Sequence, residues 1–430
     1  MRNKSHPFLK KAFAAYAAKW TVLVLLTAIS TGSVVALFLW LLEKVTLLRW
    51  QHSWFLYLLP VAGVLIYFLY KLAGRNAEAG NNLIIEEIHK PGAGVPARMA
   101  PLVLFTTLIT HLFGGSAGRE GTAVQISGSF GALLARKLHL TAAETRILLL
   151  TGIAAGFGSV FGTPVTGAVF ALEVLAIGTI RYDAVLPCLA ASLLADITCT
   201  AWGIHHTQYH INMAAELSRL VPFVQVDILL LAKALCAGVA FGLASYLFIR
   251  LQHTIKHYSN QYITYKWLIP AIGGALIILL CFITGTRDYL GLGVVSNQPN
   301  GISIVAAFHA GGVTNWSWLW KIIFTAITLG MGFKGGEVTP LFFIGAALGN
   351  TIAMLSGAPV DLFAALGFIA VFAGATNTPL ACTLMGVELF GGEYLLYYAI
   401  ACFAAYYCSG QSGIYTGQRT AVSKINNPDY

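Results

Sequence analysis

The sequence predicts an all-α integral membrane protein, formed by a single transmembrane domain over residues 1–430 and built from two duplicated halves. The first observation is composition: 57% of the residues are hydrophobic and only 10% are charged, whereas about a quarter are charged in soluble domains. The second is that several apolar stretches reach the roughly 20 residues of a membrane-spanning helix. The third is an internal repeat. A soluble enzyme, a secreted disulfide module and a disordered protein are excluded.

The apolar stretches have very uneven lengths. Those at 101–113, 123–135 and 361–375 are too short to cross a bilayer unless tilted, so we expect helices that end inside the protein beside a water-filled cavity. Strand-like alternation in units of about ten residues is lacking, which argues against a β-barrel. Longer apolar blocks run over 12–42, 147–177, 184–202, 224–250 and 378–408, and polar loops are predicted at 74–100, 203–222, 252–265 and 285–301.

Basic residues near the start of the chain predict its orientation. Arg2, Lys4, Lys10 and Lys11 precede the first apolar block, and by the positive-inside rule they hold the N-terminus in the cytoplasm. That block is far longer than the apolar core of a signal peptide, so we expect it to stay in the mature protein. The predicted location is a bacterial inner membrane, crossed several times.

Other function classes find little support. The net charge of +9 comes from scattered basic residues without interleaved aromatics, so no nucleic-acid partner is predicted. His205, His206 and His210 form a loop cluster with no nearby carboxylate or Cys ligand except Cys199. Such a cluster is more often solvated, so neither a metal nor a cofactor is predicted. The stretch around Ser412 is similar to the nucleophile segment of rhomboid proteases, but the last histidine, His309, comes far before it. No enzyme is predicted, and no residue is assigned a catalytic role.

Two motifs of the first half recur in the second. Gly118–Thr122 (GREGT) matches Gly335–Thr339 (GGEVT) at a shift of 217 residues, and Thr163–Glu173 matches Thr378–Glu388 at a shift of 215. Two landmarks with nearly the same shift indicate repeats, approximately 12–205 and 224–417. Duplicated halves with interrupted helices in matching places are typical of transporters whose site lies between the repeats, near the membrane midplane. The sequence therefore predicts a transport protein.

Glu120 lies between a glycine-rich loop and an apolar helix-like block. The free amides and the positive dipole end at such a helix start form an anion site. An ionised carboxylate there competes with the anion, and a protonated one can leave, which would couple anion passage to proton uptake. The alternative is a buried acid that pairs with Arg119 for structure alone. Because acids inside membranes are functional by default, we favour Glu120 as gate and proton carrier.

Glu337 occupies the matching place in the second half. A second acid at the predicted site suggests a role in proton or anion transfer. Thr122 and Thr339, which follow the two acids, offer hydroxyl donors to an anion. In the alternative, Thr339 only caps the helix and Glu337 faces a water-filled vestibule.

Glu173 and Glu388 lie at equal depth in their helices, each nine residues after the proline of a Thr-Pro helix start. For this pair we favour a structural role, in which each carboxylate bonds backbone groups of a neighbouring helix and holds the two halves together.

These motifs resemble those of the CLC family of chloride channels and proton-coupled anion antiporters. Gly118–Thr122 is similar to the family's G-R/K-E-G-P signature, which places the gating glutamate at Glu120. Gly336–Pro340 is similar to its G-x-F-x-P signature, with Val338 at the phenylalanine position. The family's anion-coordinating tyrosine maps onto Tyr415. The serine of its G-S-G-I-P signature maps onto Asn81 in Gly-Asn-Asn-Leu-Ile.

The resemblance implies a homodimer with one anion pathway in each subunit, and a fold of two inverted-topology repeats of tilted, partly broken helices. The tail after Gly417 is too short for the cytosolic CBS domains of some relatives.

Departures from the family signatures point to one branch. Thr122 replaces the proline, Val338 replaces the phenylalanine, Glu337 is added, and Val174 stands where proton-coupled chloride exchangers carry a second acid. This pattern is similar to the CLC-type fluoride/proton antiporters.

By this resemblance the protein exports fluoride in exchange for protons. Glu120 and Glu337 would transfer protons, and the anion would be bound by Asn81, Thr122, Val338, Thr339 and Tyr415. The alternative is a chloride channel or a chloride/proton antiporter of the same family.

Overall fold

The computed structural model describes residues 7–92, 94–211 and 227–424, with the side chains of 7–13 left out. Within these ranges the chain is almost entirely helical. The α-helices are α1 (Pro7–Gln51), α2 (Leu59–Leu69), α3 (Asn81–His89), α4 (Met99–Leu112), α5 (Glu120–Lys137), α6 (Ala142–Phe161), α7 (Pro164–Glu173), α8 (Val185–Ala201), α9 (Ile228–Tyr262), α10 (Leu268–Thr284), α11 (Ile304–Ala307), α12 (Ser317–Gly330), α13 (Val338–Ser356), α14 (Val360–Thr376), α15 (Pro379–Phe390) and α16 (Leu395–Cys408).

Shorter elements join these helices. Two-residue strands β1 (Ala176–Ile177) and β2 (Arg419–Thr420) pair in parallel and attach the C-terminal segment to the loop after α7. Single 3₁₀ turns occupy Ser53–Leu58, Arg75–Ala79, Tyr182–Ala184 and Gly392–Tyr394, and a π turn occupies Tyr70–Gly74.

Six helical segments in the described ranges are long and apolar enough to cross a membrane. They are Ala14–Gln51, Ser53–Ala79, Ala142–Phe161, Tyr182–Ala201, Ile228–Tyr262 and Val338–Ser356. Six further apolar helices have only 10–17 residues, which is less than a full crossing requires. The protein is a multi-pass membrane protein in which full-length and partial helices are mixed, as the uneven apolar blocks predicted.

The prediction of broken helices is confirmed where the block 147–177 divides. Helix α6 ends at Gly162, whose φ of 72° is the left-handed conformation that terminates many helices. Helix α7 then begins with Pro164 in its first turn, where the missing N–H costs no hydrogen bond. The block 378–408 divides in the same way into α15 and α16.

Two predicted loops are wrong. The segment 74–100 contains α3, and 252–265 is mostly the last turns of α9, which ends only at Tyr262. Both helices are polar on one side, so their composition resembles a loop while apolar residues such as Ile84 and Ile88 are buried. Outside the described residues lie Arg2, Lys4, 212–222 of the predicted second loop and the first residues of the second repeat, 224–226.

The two halves place equivalent helices in the same order. Helices α4 to α8 of the first half correspond to α12 to α16 of the second, including the 3₁₀ turn before the last member. The loops before α5 and α13 meet in an antiparallel bridge, in which the N–H of Gly118 donates to the oxygen of Gly336 (2.6 Å) and the N–H of Gly336 donates to the oxygen of Gly118 (2.8 Å). Such mutual pairing is what a two-fold relation between similar units produces.

A second reciprocal contact joins the ends of helices from the two halves. The Glu173 carboxylate accepts hydrogen bonds from the N–H groups of Leu380 (3.1 Å) and Ala381 (2.8 Å), in the first turn of α15. The Glu388 carboxylate accepts from the N–H groups of Val165 (2.9 Å) and Thr166 (2.7 Å), in the first turn of α7. Each acid therefore caps the helix equivalent to its own, which confirms their structural role.

Aromatic stacking and glycine contacts pack the helices tightly within each half. The Phe157 and Phe170 rings stack with centroids 4.3 Å apart, and those of Phe342 and Phe368 stack at 3.9 Å. Helices α13 and α14 approach so closely that a Cβ on Gly345 would lie 1.9 Å from a backbone oxygen of α14. Small residues that allow such approach are common in membrane helix packing. The helix starts that carry the motifs are thus held in a rigid core.

Removing the Glu388 cap should lower stability. In Glu388→Ala, the amides of α7 that the carboxylate satisfies lose their acceptors in a partly buried setting, which costs about 1 kcal/mol. Glu388→Gln keeps one acceptor oxygen and should lie in between. The thermal unfolding midpoint of the purified protein measures both effects. The exposed Glu393, on the loop that follows α15, supplies the control Glu393→Ala. If the Glu388→Ala protein were as stable as this control, the capping role would be contradicted.

Candidate functional site

The Glu120 side chain lies where the first turns of two equivalent helices meet. Glu120 begins α5 and is almost fully buried, with 1% exposure. Its carboxylate accepts hydrogen bonds from the backbone N–H of Thr339 (3.1 Å), from the Thr339 hydroxyl, and from the backbone N–H of Arg119 (3.1 Å). Thr339 is in the first turn of α13. The Glu120 carboxylate of the first half therefore lies at the start of a helix of the second half.

This arrangement has the chemistry that an anion-binding position needs. The carboxylate is itself an anion, and its partners are an amide and a hydroxyl at the positive end of a helix dipole. The Arg119 Nε lies 3.6 Å from the carboxylate, beyond good hydrogen-bond distance. The contacts with Thr339 are therefore closer than the ion pair that would make Glu120 a purely structural partner of Arg119.

Glu337 does not mirror Glu120, although their sequence positions are equivalent. Its carboxylate accepts a hydrogen bond from the Gln252 side-chain amide (3.3 Å), on the last turns of α9. Glu337 is only partly buried and precedes the first residue of α13. The two acids thus face different surroundings: Glu120 reaches across to the other half, and Glu337 turns towards α9.

Asn81 lies near both acids. Asn81 is the first residue of α3. Gly121 has no Cβ, and the side-chain nitrogen of Asn81 lies 3.0 Å from the point where a Cβ on Gly121 would be. A carboxylate oxygen of Glu337 lies 4.0 Å from the same point. The side-chain oxygen of Asn81 is buried without a hydrogen-bond partner. The absence of a Cβ at position 121 leaves room for Asn81 and Glu337 to approach each other beside the helix start.

Thr122 and Val338 contribute differently from Thr339. The Thr122 hydroxyl shares a 2.8 Å hydrogen bond with the hydroxyl of Thr107 on α4, so it is engaged inside the protein. Val338 is the first residue of α13 and is buried. Of the two predicted hydroxyl donors, only Thr339 contacts Glu120.

Tyr415 is placed inside the protein by the C-terminal segment. Its ring is buried and packs edge-on against Phe170, with centroids 6.3 Å apart. The backbone N–H of Ile414 donates to the oxygen of Ala375 and fixes this segment beside α14. Tyr415 is therefore a buried residue and not an anchor at the membrane surface.

A small cavity of about 20 Å³ adjoins Glu120 and Thr339. This is room for about one water-sized particle. Its apolar wall includes three phenylalanines, Phe161, Phe342 and Phe368. A particle in the cavity would lie beside the carboxylate and within a nearly dry environment, where its interactions with charges are strengthened.

His206 and Tyr209 also line this cavity, and sequence analysis missed both. The sequence places His206 only in a solvated histidine cluster. The His206 Nε2 lies 3.7 Å from the carboxylate of Asp196, and its ring packs on Gly162, where a Cβ would lie 2.5 Å away. The only sequence signal is the glycine that ends α6, because a side chain there would displace the histidine.

Known proteins share much of this sequence. The family model described as voltage gated chloride channel matches residues 61–410. A chloride/fluoride channel protein of Pseudomonas syringae pv. tomato is 46% identical over 96% of this chain and 89% of its own. An H(+)/Cl(-) exchange transporter, ClcA, of Vibrio campbellii is 24% identical over 78% of this chain and 72% of its own.

Solved structures share the fold. The crystal structure of a CLC-type fluoride/proton antiporter superposes with a TM-score of 0.85 at 32% identity, covering 94% of this chain and 98% of that one. The structure of a slow cyanobacterial Cl-/H+ antiporter matches with a TM-score of 0.72 at 18% identity, covering 90% and 93%. The resemblance seen in the sequence is confirmed, and with it the all-α fold. This chain belongs to the voltage-gated chloride channel family, the CLC family.

Proposed function

We propose that this protein is a fluoride/proton antiporter that exports fluoride, with Glu120 as the group that couples the two ions. The observation that supports the proposal most directly is that the Glu120 carboxylate accepts hydrogen bonds from the amide and the hydroxyl of Thr339, at the start of α13. A carboxylate in an anion-binding position must leave before an anion can enter, and it leaves most readily when protonated. Anion entry and proton uptake are then linked at one side chain.

The donor set suits fluoride. Fluoride is small and holds its hydration shell strongly, so a site must offer short hydrogen bonds from strong donors to replace that water. Thr339 supplies a hydroxyl and an amide, and Tyr415 and Asn81 supply further donors nearby. The cavity beside Glu120 admits a particle of about the size of water. A chloride/fluoride channel protein and a fluoride/proton antiporter among the relatives support the same ion.

Glu337 is assigned the second proton-transfer role. It lies beside Asn81 and Gly121, on the same side of the α13 start, and its hydrogen bond from Gln252 holds it in place. An acid near the anion path can donate a hydrogen bond to fluoride when protonated and accept a proton when ionised. Thr122, whose hydroxyl is shared with Thr107, and Val338 complete the anion-binding set by lining the path.

The assembly and location follow the family. We assign a homodimer in the bacterial cytoplasmic membrane, with the N-terminus in the cytoplasm and two inverted repeats, approximately 12–205 and 224–417, in one transmembrane domain. The second candidate function, chloride channel or chloride/proton antiporter, is supported by the chloride exchanger among the relatives. Against it stands the replacement of the family's phenylalanine and proline by Val338 and Thr122.

Ion flux from vesicles tests the choice of ion. Purified protein is reconstituted in vesicles loaded with fluoride or with chloride, and anion efflux and external pH are recorded together. We expect fluoride efflux to exceed chloride efflux by at least about tenfold, and each fluoride movement to be accompanied by proton movement in the opposite direction. Faster chloride than fluoride efflux would remove the fluoride assignment, and fluoride efflux without proton movement would make the protein a channel.

Removing the titrating group at Glu120 should uncouple the ions. Glu120→Gln keeps the size of the side chain and its acceptor oxygen but cannot take up a proton, so proton movement should fall to the level of empty vesicles. Glu86→Gln, at an exposed acid on α3 that does not contact the site, is the matched control and should transport like the natural protein. Coupled transport that persists in the Glu120→Gln protein would show that another group carries the proton.

A further inference from the structure

A cavity of about 800 Å³, much larger than the one beside Glu120, lies where α1, α10 and the loop 285–301 meet. It belongs to no step of the proposed transport cycle. Its volume is in the range of sites for organic ligands. Two arginines line it, Arg49 from the last turn of α1 and Arg287 from the loop after α10.

These two arginines lack acidic partners. In the described part of the chain, no carboxylate lies within ion-pair distance of either guanidinium. One nitrogen of the Arg49 guanidinium is buried without any hydrogen-bond partner. Arg287 donates a hydrogen bond to the backbone oxygen of Ser53 (3.0 Å). A guanidinium nitrogen that is buried without a partner, as in Arg49, is costly, and a bound anion would supply both an acceptor and a counter-charge.

The acid in the cavity wall is already engaged. Asp288 accepts hydrogen bonds from the hydroxyls of Thr286 (2.9 Å) and Ser296 (2.8 Å) and from the N–H of Ile302 (3.1 Å). Both carboxylate oxygens therefore hold the loop 285–301 in shape. The cavity retains an excess of positive charge from the arginines.

The cavity has one polar and one apolar side. The polar side is the loop, with Ser296, Asn297 and Gln298, and the apolar side includes the exposed rings of Tyr57 and Phe282 at helix ends. Exposed aromatic rings at the ends of membrane-spanning helices are typical of the level of the lipid headgroups. A ligand here would meet water-facing polar groups at one end and the acyl region at the other.

We propose that this cavity binds an anionic phospholipid, with the phosphate between Arg49 and Arg287 and the acyl chains leaving past Tyr57 and Phe282. Guanidinium groups hold phosphate oxygens through paired hydrogen bonds. Beside the cavity, the N–H of Gly291, which lies against the Arg49 guanidinium, donates to the oxygen of Gly115 in the loop before Glu120 (3.1 Å). Val294 lines both this cavity and the smaller one beside Glu120, but neither Arg49 nor Arg287 lines the smaller one, so the lipid assignment stands without the transport proposal.

Lipid binding to the purified full chain tests the site. Native mass spectrometry would measure binding of phosphatidylglycerol and of zwitterionic phosphatidylcholine to the natural protein, Arg49→Gln and Arg287→Gln. The natural protein should prefer phosphatidylglycerol, and each substitution should weaken binding of that lipid by about tenfold, as loss of a charge-assisted contact does. Arg250→Gln, at an exposed arginine on α9 that donates to Tyr246, is the control and should bind as the natural protein does.

Further variants and an inorganic phosphate control distinguish a phospholipid from other ligands. Arg49→Lys keeps the charge and should bind more tightly than Arg49→Gln, and Arg287→Gln alone tests the site if position 49 does not tolerate substitution. Inorganic phosphate, which has the headgroup charge without acyl chains, should bind far more weakly than the lipid. Phosphate that binds as tightly as phosphatidylglycerol would overturn the lipid assignment. Equal binding of phosphatidylglycerol to the natural protein and to both glutamine variants, or equal binding of both lipids to the natural protein, would overturn the site.

Discussion

The contact between the Glu120 carboxylate and the first turn of α13 is the central interaction of this protein. It joins the two halves at their equivalent motifs and places a negative charge where an anion would bind. The helix dipole and the amide and hydroxyl of Thr339 stabilise that charge. No other contact among the described residues brings a titratable group, an anion-binding position and the interface of the halves together in the same way.

The surrounding structure keeps this contact in register. The bridge between Gly118 and Gly336 holds the two loops together, and the caps supplied by Glu173 and Glu388 join the ends of equivalent helices. These pairings obey the two-fold relation, but the site departs from it. Glu120 reaches across the interface, whereas Glu337 bonds to Gln252 on α9. The scaffold is symmetric, but the two acids at its equivalent positions have different hydrogen-bond partners.

Many of these helix starts and contacts could be predicted because local sequence patterns determine them. The glycine loops before Glu120 and Glu337 predicted two helix starts, and the Thr-Pro motifs predicted the starts of α7 and α15. The repeated acids Glu173 and Glu388 predicted contacts between the halves, since equal depth in equivalent helices implies equal surroundings. In each case the signal lies within a few residues of the feature that it predicts.

What could not be predicted depends on distant residues. The polar end of α9 resembles a loop in composition, so Gln252 was not recognised as the partner of Glu337. Thr122 and Thr339 look alike in sequence, yet Thr107 on α4 takes the hydroxyl of the first and leaves only the second to Glu120. His206 reaches the Glu120 cavity only because Gly162 makes room for it. No local sequence pattern predicts such contacts between distant residues.

The most direct test of the central claim is to count protons when fluoride binds. Calorimetry of fluoride binding to the purified protein, repeated in buffers of different ionisation enthalpy, gives the number of protons taken up for each fluoride bound. If the Glu120 carboxylate must leave its position at Thr339 before the anion can bind, fluoride binding will be accompanied by proton uptake. The affinity for fluoride will then increase as the pH falls. Binding that takes up no proton and has the same affinity across the pH range would contradict the competition between carboxylate and anion.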